Sequence, residues 1–541
     1  MSKPSDPSNI KRERPIAPWR ICHLGGIVSI AFAVLVASCE NPSRVVWKAP
    51  PASPPAPTPP WAVTNTAGTD FSQFDSVGID GSDNVYAVGA LKNLATYSFG
   101  NLPLFTTIDT GGANDSVLVK YNSSGTALWT RIETLGNQGD NQFVAVAVDT
   151  AGNSYVAGYS RTSGWPIAWG NGVSFVPSST YPWELLFMKF DTNGSVQWIS
   201  TQTGGYISLS RGAAVDSSGN SFQVGDIEST GGFTIGSSAG GSVGVTGINS
   251  TDNGTGNNAN GFLVKYNTSG VPSWVQTPIS GTPVPLATDY FAAAADSSGN
   301  IAVAGYLSGA GGGSVDFGGQ SAAGGYTTNV GGNANALVVK YDTNGAAQWA
   351  RTTGAGAPGP STFSGDCVDS AGDIYAVGWV TGPGTFDFGS GQTFNVTVSG
   401  HNAVLVKYNA SGTTLWARSS TGGSAASEFA GVAIDKNGNV LVSGQFTGPG
   451  NCQFGSQTVS GSVSGTNALM VKYDANGNAM SAATVTSALA PSQFYGVAAD
   501  SAGHPHAVGF VNGNAPFSFG NNLSVTGPAA SLNNALIVKY P

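Results

Sequence analysis

Charge is what this 541-residue chain has least of: only 9% of its residues are Asp, Glu, Lys or Arg, and the net charge is −9. An acidic chain with no Lys/Arg cluster beyond its first twenty residues has no electrostatic footprint for nucleic acid, and the same sign disfavours docking on anionic lipid. Helical periodicity is missing throughout, which excludes bundles and α/β layers. Cysteine is scarce. Cys22 and Cys39 lie in the N-terminal region, and only Cys367 and Cys452 remain, where buried thiols are a better reading than a disulfide. Histidine is scarce too: after residue 60 it occurs as His401, His504 and His506. His504-Pro505-His506 is the one pattern that could hold a metal, but it lacks nearby Cys or clustered carboxylates, and zinc wants three or four converging ligands; it reads as a surface turn. Without a Gly-x-Ser-x-Gly elbow, a His-Glu-x-x-His helix or a phosphate-binding Gly loop in a fitting context, no catalytic residue, metal or cofactor is implied.

What is present is repetition. Seven apolar runs end in Asp, at 80, 149, 216, 296, 369, 435 and 500, and nine residues after each stands a Gly, from Gly89 to Gly509. Each unit then carries an aromatic-x-Phe-Gly-like element, such as Phe386-Asp387-Phe388-Gly389, and an apolar run ending in Lys-Tyr or, once, Lys189-Phe190. Eight residues further, five units place a Trp (129, 198, 274, 349, 416); the sixth has Ser481 and the seventh runs out of chain. Trp61-Ala62-Val63-Thr64 resembles the missing piece.

Four strands per unit follow, named A to D. A precedes the Asp, B ends near the Gly, C ends in Lys-Tyr and D carries the Trp. The A–B and C–D links are rich in Asp, Asn, Ser and Gly and read as hairpins, with each Asp bonding its own turn backbone rather than calcium. The strand C lysines are expected to reach a carboxylate or carbonyl near their own A–B turn. Small four-stranded sheets that are apolar on both faces need radial repetition to bury both, and the residue two before each Asp is always small, as Gly78, Ala147 or Cys367. The expected fold is all-β: a seven-bladed β-propeller of four-stranded antiparallel blades over residues 61–541, the last blade closed by the N-terminal strand.

The Asp-x-x-Gly-Asn, Val-Lys-Tyr-[Asp/Asn]-x-x-Gly and Leu-Trp elements resemble the bacterial SBBP-type β-propeller repeat of secreted and surface proteins. The resemblance covers nearly all of the chain after residue 60. It implies a propeller and assigns little activity. Ser481, Phe190 and Ser210, the last standing where six units have Phe or Tyr, depart from the pattern.

Residues 1–38 have the form of a lipoprotein signal peptide: Lys11, Arg12, Arg14 and Arg20 precede an apolar stretch over 21–37, and Val36-Ala37-Ser38-Cys39 resembles a lipobox, making Cys39 the lipidated residue. The other reading is an uncleaved membrane anchor, for which the stretch is short. Residues 39–60 are a proline-rich tether. Together these imply an outer-membrane lipoprotein facing the periplasm or the cell exterior.

Two function classes fit. One is a non-catalytic propeller that binds a protein or glycan partner through its B–C loop face, where the copies vary most. The other is a propeller enzyme acting on a polysaccharide. The candidate ligand residues are Trp165, Tyr181 and Trp183 in the aromatic B–C segment of unit 2, and Arg211, a lone cation at the start of a strand A beside Ser210. Trp169 matches a structural Phe of other copies. Asp70, Asp140, Asp289 and Glu428 precede A strands and either ring a channel or are solvated loop charges.

Overall fold

A computed structural model describes residues 58–541 apart from 93, 109–113, 135–138, 162–165, 178–182, 205–206, 229–231, 249–258, 283–286, 309–313, 324–333 and 355. Every regular element among the described residues is a strand, and every sheet is antiparallel. Seven four-stranded arrays run in the order A–B–C–D. In unit 1 these are Ser72–Ile79, Val85–Lys92, Asn114–Tyr121 and Ala127–Arg131. The seventh array takes its fourth strand from Trp61–Gly68, and Trp61 stands opposite Lys539 just as Trp129 stands opposite Lys120.

The A–B turns behave as their composition demands. Each Asp accepts hydrogen bonds from backbone N–H groups of its own turn, as Asp80 does from Ser82 and Asn84 (2.9 Å each) and Asp435 from Asn437 and Asn439. Five strand C lysines reach that Asp: Lys120, Lys340, Lys407, Lys472 and Lys539, at 2.8 to 3.6 Å. Lys189 and Lys265 instead lie over the rings of Tyr155 and Phe222.

Cores form between sheets. Seven apolar clusters each draw on two consecutive units, and the cluster of unit 1 with Phe74 and Val85 includes Val508, Ala535 and Ile537 of unit 7. The strand D Trp rings close the outer seams by packing on the C–D turn glycine of the next unit: Trp198 on Gly270, Trp349 on Gly412, Trp61 on Gly125. Ser481 now has a reason. Unit 7 borrows its fourth strand from the other end of the chain and has no C–D turn for a sixth-unit Trp to cover, and Ser481 is exposed.

The aromatic-x-Phe-Gly elements cover sheet edges, which would otherwise present unpaired backbone groups. Thr96–Phe99 pairs with the strand of Trp61, Gly232–Ser237 with strand D of unit 2, and Asn451–Phe454 with the segment after strand D of unit 5. Much of each B–C segment is therefore committed to the outer edge of the preceding sheet. Cys452 lies buried in one such edge strand, and Cys452 and Cys367 are both free thiols. His506 departs from expectation. It is no surface turn residue: it sits fully buried in strand B of unit 7, edge-on to Trp61 at 5.6 Å.

Candidate functional site

The Gly nine residues after each Asp exists because every strand A carries a β-bulge. Pairing between A and B skips one residue in all seven units, as between Phe74 and Ser76 or Tyr290 and Ala292. The bulge drives a strand A carbonyl against strand B, and a Cβ on Gly89 or Gly305 would overlap the carbonyl oxygen of Gln73 or Asp289. A bulge also re-aims the extra side chain. The seven extra residues are Asp75, Val144, Arg211, Phe291, Ser364, Ala430 and Tyr495, five positions before each turn Asp, and all line one cavity of about 290 Å³ and a second of about 340 Å³ that adds Tyr159 and Ser210. No two of these seven are the same residue type.

Asp75 accepts hydrogen bonds from Gln73 Nε2 (2.6 Å) and Gln142 Nε2 (2.8 Å). Burial pushes its carboxyl up to about 7, against the smaller lowering effect of these two amides. Gln142 is itself held, because Tyr159 Oη donates to its Oε1 at 2.7 Å. Tyr159 in turn packs edge-on against Trp183 with ring centroids 5.0 Å apart, and the Arg161 guanidinium covers Trp183. In unit 3, Arg211 Nε reaches Asp226 at 2.9 Å and Asp289 at 3.2 Å and lies over Phe291. Burial opposes the charge on Arg211, but the two carboxylates more than offset it and raise its pKa; burial and the neighbouring Asp226 raise that of Asp289.

Of the candidate ligand residues, Arg211 lines both cavities. Trp183 stands one layer behind it, supporting Tyr159. Trp165, Tyr181 and Cys39 lie outside the described residues. Trp169 is core, stacked on Phe143. Of the four acids, Asp289 pairs with Arg211, while Asp70 accepts from its neighbour's N–H, Asp140 from Asn114 N–H, and Glu428 pairs with His401, whose ring stacks on Trp379 at 3.9 Å. Asp75, Phe291 and Tyr495 went unrecognised. Aligning the copies on the turn Asp and reading the position where all seven differ would have found them. The same alignment exposes Asp366, where the other units have Val or Ala; both its carboxyl oxygens are sealed with no hydrogen-bond partner among the described residues, and burial raises its pKa.

No family model and no curated protein matches the chain. Solved structures with some likeness include a protein of unknown function from Bacteroides caccae (10% identity over 68% of this chain and 89% of that one, TM-score 0.31). Another is a protein of unknown function from Dyadobacter fermentans (10%, 76% and 98%, TM-score 0.34). A third is a fungal alcohol oxidase of the AA5 family in complex with copper (12%, 88% and 76%, TM-score 0.33).

Proposed function

We propose that the seven arrays are the blades of a closed propeller of the SBBP-repeat type, and that the protein is a non-catalytic binder of glycans through the mouth of its axis. Closure is supported by an apolar cluster between each unit and the next, including the seventh and the first, and by a hydroxyl-to-backbone hydrogen bond that recurs at six of these seams. The Ser361 hydroxyl accepts from Ala336 N–H at 2.9 Å, and Ser72 accepts likewise from Ala535 N–H at 3.0 Å. Ser501 N–H and Oγ both donate to Asp83 at 2.7 Å, tying the seventh A–B turn to the first.

One observation carries the binding reading: on a scaffold that repeats everywhere else, the seven side chains turned into the cavity are all unlike. A structural role would favour the same residue in each copy, as it does at the turns. Tyr159, Phe291 and Tyr495 supply flat apolar faces beside Asp75, Ser364 and Arg211, a mixture suited to sugar rings, whose faces are apolar and whose rims are hydroxyls. Asp75 also favours the enzyme reading, since a carboxyl held near 7 is fit for general acid work. A glycan array probed with the protein, followed by a turnover assay on whatever binds, separates the two. Saturable binding without product supports the binder, product formation replaces it with the enzyme, and no binding to any glycan removes both. The lipid on Cys39, the tether of residues 39–60 and the outer-membrane address complete the proposal. A Cys39→Ser chain that still partitions with membranes would sink that part.

A further inference from the structure

The cavity is short of positive charge. Arg211 is its one cation among the described lining residues, and that guanidinium is already shared by the carboxyls of Asp226 and Asp289. Among the described residues Asp75 has only neutral hydrogen-bond partners, the amides of Gln73 and Gln142, and besides Arg211 the other titratable groups around this space are Tyr159, Tyr495 and Asp366. Gln142 is pinned by Tyr159, whose hydroxyl donates to its Oε1 and so turns its Nε2 toward the Asp75 carboxyl. A half-buried carboxyl that receives two amide hydrogens and no cation keeps lone pairs for a further donor. Phe291 and Tyr495 line the same space. A carboxylate bordered by aromatic rings is the environment in which an ammonium group is held best, by a charge-assisted hydrogen bond on one side and ring faces on the other.

Resting on the glycan reading, we infer that the ligand carries a free, protonated amine, as de-N-acetylated amino-sugar chains do, and that this amine docks on Asp75 with the Tyr495 ring beside it, away from the Phe291 ring that Arg211 covers. An N-acetylated sugar presents a neutral amide there and forfeits both interactions.

The test uses the full chain and two defined probes, a tetramer of glucosamine and a tetramer of N-acetylglucosamine, titrated by calorimetry at about pH 7, where the Asp75 carboxyl is about half ionised before the ligand arrives. Wild type should bind the free-amine tetramer about ten-fold tighter or more than the acetylated one, the factor expected from one charge-assisted contact with ring faces beside it. Asp75→Asn, which keeps the side-chain size, should lose that preference while its melting curve stays cooperative. Equal or tighter binding of the acetylated tetramer by wild type overturns the amine inference and leaves the glycan reading standing. A preference that persists in Asp75→Asn overturns the assignment to Asp75. Failure of both tetramers and of the glycan array overturns both readings together.

Discussion

Each A strand has two ends with opposite characters. At the turn end all seven copies present Asp with the same Asx-type hydrogen bonds, backed in five by a lysine; at the bulge end, five residues earlier, seven different residue types face one cavity. The geometry of the two ends is equally regular, since every copy bulges at the same place. Identity at one end and diversity at the other therefore do not track order in the backbone. They track what the side chain meets. A turn Asp must satisfy N–H groups that are the same in every copy, whereas a bulge residue lines the cavity with partners that differ from copy to copy, such as Gln142 for Asp75 and Asp226 for Arg211, and is free to be recruited.

The contrast can be broken most forcefully at the glycine that permits the bulge. Gly305→Ala sets a methyl group into the carbonyl oxygen of Asp289 and should cost ~3 kcal/mol or more in denaturant unfolding, whereas Ser364→Ala at a bulge should stay within about 0.5 kcal/mol. Next comes His506, whose imidazole burial pulls down to about 4. Its folded pKa lies below its ordinary value of 6.5, so its contribution is complete above pH 6.5 and is lost as pH falls through 4, up to roughly 3 kcal/mol. His506→Tyr, the residue of units 1, 2 and 5, should flatten that part of the stability–pH curve; an unchanged curve would show that the histidine is not responsible.

Asp435→Ala removes hydrogen bonds from Asn437 N–H, Asn439 N–H and Asn439 Nδ2 and the partner of Lys472, a loss of about 1–3 kcal/mol by chemical unfolding. The last of these tests is at the site. The carboxyl of Asp75 lies near 7 when folded, above its ordinary value, so its contribution is complete below pH 4 and fades as pH rises through 7. Relative to Asp75→Asn, the wild-type melting temperature should drift downward across that window, and parallel curves would contradict the burial argument.

The strand count, the turn chemistry, the borrowed strand at Trp61 and most lysine partners were legible because each rests on residues that repeat at fixed spacing and act locally. The site was not, because its signal is the lack of repetition. Asp75 and Tyr495 are 420 positions apart and gain meaning only when the copies are superposed. Trp183 drew attention as an aromatic in a long loop, yet it supports Tyr159 from behind. His506 misled because Pro505 beside it looked like a turn; the chain takes Pro505 as the first residue of a strand, where a missing N–H is tolerated.

The most direct test of the division between folding residues and recruited ones is the double variant Phe291→Ala, Tyr495→Ala, measured for melting temperature and for binding to a glycan that the wild type retains on the array. The account predicts that binding is lost while melting changes little, since both side chains are half-buried in the cavity rather than in any core cluster. Binding retained by the variant, or a collapse in stability, would contradict it.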